Sequence, residues 1–393
     1  MPVPLLDVNA QNLPLEAELT AAFRRVLRHG MFILGKEVDT FEAEAREFLG
    51  VKHAIGVSSG TDALVLALMA LDVKPGDEVL CPAFTFFATG GSVARLGAVP
   101  VMVDVCPICF NLDVNDARRK ITAKTKAIMP VHLFGQSADM DAILALAQEH
   151  GLKVIEDTAQ AFGAKYKGHQ CGTMGEFGAY SFFPSKNLGG LGDSGLLVTN
   201  DDKLGEYARI LRVHGMAPKY YHHHVGANFR IDALQAAFLS VKLKHYGAYT
   251  ERRQANAAYY HEHLAKLPGV VKADPAHCKC VTAQNAALVG AKIVLPVGYE
   301  HNYHIWNQFT LRVLNGQRDA LRDHLQANKI GCDIYYPVTM DQQKCFADLP
   351  ESARTGCVVS NQLAAEVLSI PIYPELGEAQ RVEVVAAIAS FVA

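Results

Sequence analysis

Excess charge of either sign is what this chain has least of: 37 basic against 40 acidic side chains leave a net charge of -3 over 393 residues. So even a balance argues against a nucleic-acid or membrane-surface partner recruited by bulk electrostatics. No apolar run approaches the roughly 18 residues needed to span a bilayer, so no membrane-spanning helix is expected. The start, Met1-Pro2-Val3-Pro4-Leu5-Leu6-Asp7, has no basic segment followed by an apolar stretch, so no secretory leader is expected and a cytoplasmic location is. No internal repeat, low-complexity tract or long linker stands out, which excludes a repeat array. Nine scattered cysteines, an odd number, argue against a disulfide framework and for thiols in a reducing compartment.

What is present is the make-up of a packed globular enzyme, half apolar and one fifth charged. The length suggests two domains. From Lys36 to Phe48 a helix is expected, with Val38, Phe41, Ala45 and Phe48 on one face and Gly50 as its stop. Short apolar strands then alternate with amphipathic helices. Strands are expected at His53–Val57, Glu78–Cys81, Val99–Asp104, Ala127–His132 and Lys153–Asp157, with helices starting near Thr61, Phe86, Val114 and Met140. Strands this apolar have no wet face, which implies a mostly parallel sheet covered by helices on both sides. Two more strands are expected at Ala179–Phe183 and Gly195–Thr199. Ile231 to about Leu267 reads as helical, leading into a smaller C-terminal α+β domain. That domain holds a strand-like stretch Trp306–Val313, a helix Asp319–Asn328, the stretch Cys332–Val338 and a final helix Ala379–Val392. The expected division is 1–250 and 251–393.

Ligands of such sheets sit at the carboxyl ends of the strands, and four loops there carry suggestive chemistry. Val57-Ser58-Ser59-Gly60-Thr61-Asp62 is a strand, a small-residue turn and a helix start. It suits either an anion on free N–H groups or an ordinary capped helix. Glu156-Asp157 ends an apolar strand, and a buried carboxylate there needs a positive partner such as a pyridinium nitrogen, or serves as a structural cap. Lys186 follows the apolar strand Tyr180-Ser181-Phe182-Phe183 and precedes glycines 189–195. Lost solvation there favours a neutral amine able to form a Schiff base, although most lysines are surface residues. Phe86, within Pro82-Ala83-Phe84-Thr85-Phe86-Phe87-Ala88-Thr89, suits stacking on a flat ring, or core packing.

The order and spacing of these segments resemble the DegT/DnrJ-type sugar aminotransferases, which share the aspartate-aminotransferase fold (fold type I). The matching stretches are Ser59 to Leu64, Pro82 to Ala88, Pro130-Val131-His132-Leu133-Phe134-Gly135-Gln136, Glu156 to Gln160, Ser181 to Lys186 and Gly226-Ala227-Asn228-Phe229-Arg230. Gly30-Met31-Phe32-Ile33-Leu34-Gly35 fits as well.

The resemblance implies pyridoxal 5'-phosphate held by Lys186 as a Schiff base. It implies Asp157 on the pyridinium nitrogen, Gln160 near the ring hydroxyl and Phe86 on the ring face. The phosphate is implied at Gly60, Thr61, the Asp62 N–H and Ser181. Asn228 corresponds to a residue that reaches the neighbouring subunit's phosphate, so a homodimer with shared active sites is implied. Arg230, Phe32, His304, Asn307 and Tyr336 fall at substrate positions. The implied reaction is transamination of a UDP- or dTDP-linked keto sugar, in glycan or surface-polysaccharide biosynthesis, with an amino donor such as L-glutamate. Arg25 to Gly30 and Tyr221 to Gly226 resemble members acting on 3-keto hexoses; a 4-keto sugar is the alternative. The segment Cys278 to Tyr303 is longer than in many members.

Other classes fit less well. Sugar dehydrases of this fold carry histidine where this chain has Lys186. A regulator lacking catalysis would be expected to lose Lys186 or Asp157. Cys106-Pro107-Ile108-Cys109 has the CxxC form, but a turn after a strand does not lower a thiol pKa as a helix N-terminus does. Cys278-Lys279-Cys280 adds a pair, and His222-His223-His224 is read as a polar loop near the dimer active site, so no metal is expected.

Overall fold

A computed structural model describes residues 2–274, 288 and 290–393 of the chain. In chain order the strands are β1 (His53–Val57), β2 (Glu78–Pro82), β3 (Val99–Val103), β4 (Thr125–Ile128), β5 (Lys153–Asp157), β6 (Lys165–Tyr166), β7 (His169–Gln170), β8 (Phe177–Ser181) and β9 (Gly195–Thr199). After them come β10 (Val270–Lys272), β11 (Ile293–Leu295), β12 (Asn302–Tyr303), β13 (Phe309–Val313) and β14 (Val367–Ile370). The large sheet runs β1-β9-β8-β5-β4-β2-β3, and β9 alone opposes the other six. This is the helix-covered, mostly parallel α/β sheet the apolar strands predict.

Both faces are covered, and the strand period of two assigns side chains to them. Ile155 packs with the helix Gly60–Ala70, whereas Val154 packs with Met140, Ile143 and Leu146 of the helix Met140–His150. Glu156 therefore follows Val154, and Asp157 follows Ile155. The helices Glu16–His29, Lys36–Leu49 and Ala233–Leu243 build a further layer around Phe41, Ala45 and Leu239. A second sheet, β10-β11-β13-β14, carries its own core with Leu321, Val384 and Ile388. Val3 belongs to that core and pairs in parallel with Ile330.

Several boundaries differ from expectation. The strand expected at Ala127–His132 is β4, Thr125–Ile128, because Pro130 has no N–H for the ladder; only an isolated bridge joins Val131 to Asp157. Phe86 precedes its helix, which runs Ala88–Arg95. The helical stretch from Ile231 is two helices, Ala233–Leu243 and Tyr246–Leu264. Between them the His245 N–H bonds the Lys242 carbonyl three residues back. The stretch Cys332–Val338 forms no strand, and only Asp333 bridges to Ser369. Cys278-Lys279-Cys280 and much of the long segment before Tyr303 lie outside the described residues. Among the described residues no helix is long and apolar enough to cross a membrane, and no cluster of three or more His, Cys, Asp or Glu could hold a metal.

Candidate active site

The carboxyl ends of β1, β5 and β8 and the start of the opposing β9 meet at one edge of the sheet. Asp157 closes β5 and is buried. Its Oδ2 accepts the Thr89 hydroxyl at 2.8 Å and its Oδ1 accepts the Ala159 N–H at 3.2 Å. Burial raises its pKa, opposed by Thr89, Ala159 and the Lys186 charge.

Lys186 lies in the turn after β8, its N–H on the Phe183 carbonyl at 2.8 Å. The residue is half-buried, and desolvation of the amine lowers its pKa to about 8 against the pull of Asp157. Each charge is felt by the other, as expected of two groups close together at the sheet's carboxyl edge. An amine with this pKa is partly neutral near neutral pH, and the neutral form is the nucleophile and base.

The turn after β1 is pressed between two neighbours. A Cβ on Gly60 would stand 2.7 Å from the Ser181 Cβ, and one on Gly195 would stand 2.5 Å from the Ser59 carbonyl carbon. Only glycine permits this approach of β1, β8 and β9. Ser59 caps the helix Gly60–Ala70 by accepting the Asp62 N–H at 3.0 Å, and the Ser58 hydroxyl donates to the Asp62 carboxylate at 2.6 Å. The N–H that the sequence reading assigns to a phosphate thus lies on the Ser59 hydroxyl. The leading N–H groups of Gly60 and Thr61 remain without intrahelical partners, with Ser181 beside them.

Gln160 is held at both ends. Its Oε1 accepts the Phe134 N–H at 2.7 Å, and its Nε2 donates to the Tyr336 hydroxyl at 2.9 Å. Tyr336 in turn packs beside Phe86, ring centroids 6.1 Å apart, and Phe86 is 57% exposed at the site's mouth. Arg230 bridges to Val57 at the end of β1, and its buried Nε has no partner among the described residues. Asn228 is exposed and bridges to Val213. Phe32 is exposed too, its carbonyl accepting the Ala233 N–H at 3.0 Å.

His304 and Asn307 stand apart from this exposed group. Both are buried, His304 stacks on Trp306 at 3.8 Å, and its Nδ1 accepts the Trp306 N–H at 3.0 Å. Burial lowers its imidazole pKa to about 3, so it stays neutral. Asn307 donates to Gln308, and its carbonyl accepts from Arg253.

Three partnerships carry no mark in the motifs. Thr85 and Thr89 join their hydroxyls at 3.1 Å beside Asp157. Their spacing of four, one helical turn, is the one available sequence signal. Tyr336 meets Gln160 from 176 positions away. On the sheet's other face, the fully buried Glu156 accepts the N–H groups of Gly172, Met174 and Gly175, each at 2.7 Å, and pairs with His132 Nε2 at 2.9 Å.

Pyridoxal 5'-phosphate has an aldehyde, a basic ring nitrogen and a phosphate, and the residues fit all three. Lys186 supplies the amine and Asp157 the buried carboxylate. The glycine-packed turn at Gly60 and Thr61, with Ser181, supplies donors for an anion.

A family model of the DegT/DnrJ/EryC1/StrS aminotransferases matches residues 14–389. The pleiotropic regulatory protein of Geobacillus stearothermophilus is 45% identical over 392 residues, covering 100% of this chain and 99% of that one. The UDP-N-acetyl-3-dehydro-alpha-D-glucosamine 3-aminotransferase of Acidithiobacillus ferrooxidans is 42% identical over 378 residues, covering 96% and 95%. Among solved structures, S. venezuelae DesV in complex with a ketimine intermediate superposes with a TM-score of 0.90 at 40% identity, covering 100% and 98%. With the match running through every loop of the site, the chain belongs to the DegT/DnrJ/EryC1/StrS aminotransferase family.

Proposed function

We propose that this protein is a pyridoxal-phosphate-dependent aminotransferase that moves an amino group from L-glutamate onto a UDP- or dTDP-linked 3-keto hexose, in amino-sugar biosynthesis in the cytoplasm. The observation that carries this reading is the pair Lys186 and Asp157, a desolvated amine and a buried carboxylate close enough to feel each other's charge. Similarity to an enzyme named for a 3-dehydro sugar linked to UDP supports position 3 and that nucleotide class. The relative named as a regulatory protein does not displace the reading, since this chain has both groups transamination requires.

Bound here, pyridoxal phosphate supplies an amine-capturing aldehyde and an electron-absorbing ring. The chain's own residues do the rest. Lys186 Nζ, in its neutral form, accepts a proton from the α-carbon of the amino donor and returns one as the sugar is aminated. Asp157 holds the proton of the ring nitrogen by its negative charge. Gly60, Thr61 and Ser181 hold the phosphate, Gln160 faces the ring hydroxyl, and Phe86 covers the ring. Arg230, Phe32 and Tyr336 border the substrate, with His304 and Asn307 behind them. Asn228 reaches the phosphate of a second copy in a homodimer. The division of labour is 1–250 for the cofactor and 251–393 for the smaller unit.

A panel of 3-keto and 4-keto nucleotide sugars, assayed with glutamate for 2-oxoglutarate release, tests this. Turnover is expected with a 3-keto sugar. Faster turnover of a 4-keto sugar would move the reaction to position 4, and no turnover with any member would end the enzyme reading.

A further inference from the structure

The best-buried partner of Asp157 is a residue that no motif names. Thr89 is fully inaccessible and Thr85 nearly so, and both hang from the loop and first turn that follow β2. Thr89 Oγ1 donates to Asp157 Oδ2 at 2.8 Å, and Thr85 Oγ1 lies 3.1 Å from Thr89 Oγ1. A hydroxyl has one proton. Since Thr89 commits its proton to the carboxylate, the proton between the two threonines comes from Thr85. The two hydroxyls therefore form a wire with both protons directed toward Asp157.

Nothing about core packing requires such a wire. Two hydroxyls in an apolar interior need partners, and valine at either position would need none. A hydrogen bond from Thr89 favours the anionic carboxylate, whereas burial favours the neutral acid. The titratable groups near Asp157 are Lys186, His132, Cys81 and Tyr336, from the segments packed around the end of β5. His132 Nδ1 accepts the Ala138 N–H at 3.0 Å, so its ring proton sits on Nε2, directed at Glu156. Among the described residues, Thr89 is the side chain that donates a hydrogen bond to the Asp157 carboxylate.

We infer that Thr89 is a positioning residue for the cofactor's ring nitrogen: by donating to one oxygen of Asp157 it fixes the carboxylate's orientation and holds it as an anion facing that nitrogen. The inference rests on the pyridoxal phosphate reading above. It predicts an effect confined to ligands that carry the ring nitrogen, which a merely structural threonine would not produce.

The test uses full-length apo-protein reconstituted with pyridoxal phosphate or with its 1-deaza analogue, which has carbon in place of the ring nitrogen. Dissociation constants are measured by equilibrium dialysis for wild type, Thr89→Val and Thr89→Ser. Thr89→Val is expected to weaken pyridoxal phosphate about tenfold, the scale of a hydrogen bond to a charged group, and to leave the deaza analogue within about twofold of wild type. Thr89→Ser, which restores the hydroxyl, is expected to stay within about threefold for both ligands. Equal weakening of both ligands by Thr89→Val, or no weakening of either, would overturn the inference. Should Thr89→Val fail to fold, Thr85→Val decides by the same comparison, with a smaller nitrogen-dependent loss expected and an equal loss for both ligands overturning it. Failure of the cofactor reading is distinguishable, because wild type would then bind neither ligand.

Discussion

A lysine amine in water keeps its proton to about pH 10.4, and near neutrality it is neither nucleophile nor base. Lys186 escapes this because desolvation lowers its pKa to about 8, even with Asp157 pulling the other way. Below that value the amine is ammonium, and above it the reactive neutral form dominates. The rate at which apo-protein captures pyridoxal phosphate as a borohydride-reducible adduct should therefore rise with pH, with a midpoint near 8. Stopped-flow absorbance checks this: a midpoint near that of a free lysine would place the amine in solvent, and Lys186→Ala should form no such adduct. Lys186 and Asp157 were both legible in the sequence because Asp157 closes an apolar strand and Lys186 follows another, where a charged side chain is conspicuous. Thr89 was not, since its partner lies 68 positions away and a threonine in a helix's first turn looks like any other. Asp62 is ambiguous for a related reason. Ser59 satisfies its N–H at 3.0 Å, and Ser-x-x-Asp reads equally as a capped helix and as an anion site.

At the scale of the element, β5 ends in two carboxylates with opposite duties, because successive side chains point to opposite faces. Asp157 turns to the site. Glu156 turns away and ties together the loop Gly172–Gly175, which leads into β8 and Lys186, and His132, which leads to Phe134 and Gln160. Replacing Glu156 by Ala leaves the buried Gly172 N–H and the half-buried Met174 and Gly175 N–H groups without their acceptor. The expected cost is more than about 3 kcal/mol of unfolding free energy, measured by urea denaturation of the apo-protein. A loss under about 1 kcal/mol would mean that the loop holds itself. The five strands from β1 to β5 were readable as apolar runs, and their register on the two faces follows from alternation. The end of β4 was misplaced because hydrophobicity continues through Met129 and Val131, whereas Pro130 has no N–H and only the isolated Val131–Asp157 bridge lies beyond β4. The two-residue strands β6, β7 and β12 are too short to display any period. They form because β6 sits between β7, which follows it in a tight hairpin, and β12, supplied from far along the chain.

At the scale of the molecule, the segments around the two sheets are fastened to one another. Asp104, just beyond β3, accepts the Val359 N–H at 2.9 Å and both the N–H and hydroxyl of Ser360, at 2.7 and 2.6 Å. The Ile305 N–H bonds the Gly135 carbonyl at 3.1 Å, and Arg312 donates to the Pro107 carbonyl at 2.9 Å. Exposed apolar side chains gather along one stretch, Phe23, Leu27, Met31, Phe32 and Ile33, and Phe86 and Phe183 are exposed as well. A lone soluble chain rarely leaves such a run uncovered, and a second copy is the cover the homodimer proposal names. Asn228 is exposed, two residues from Arg230, which bridges to the end of β1. If Asn228 reaches across to the partner's phosphate, Asn228→Ala should raise the dissociation constant for pyridoxal phosphate about tenfold, as expected for one lost hydrogen bond to a charged group. Sedimentation should still show a dimer, because the apolar contacts are untouched. Equilibrium dialysis and sedimentation on the same sample make the two halves separable. Unchanged retention in a dimer would remove Asn228 from the site, and a monomeric wild type with full retention and full turnover would remove the second copy altogether.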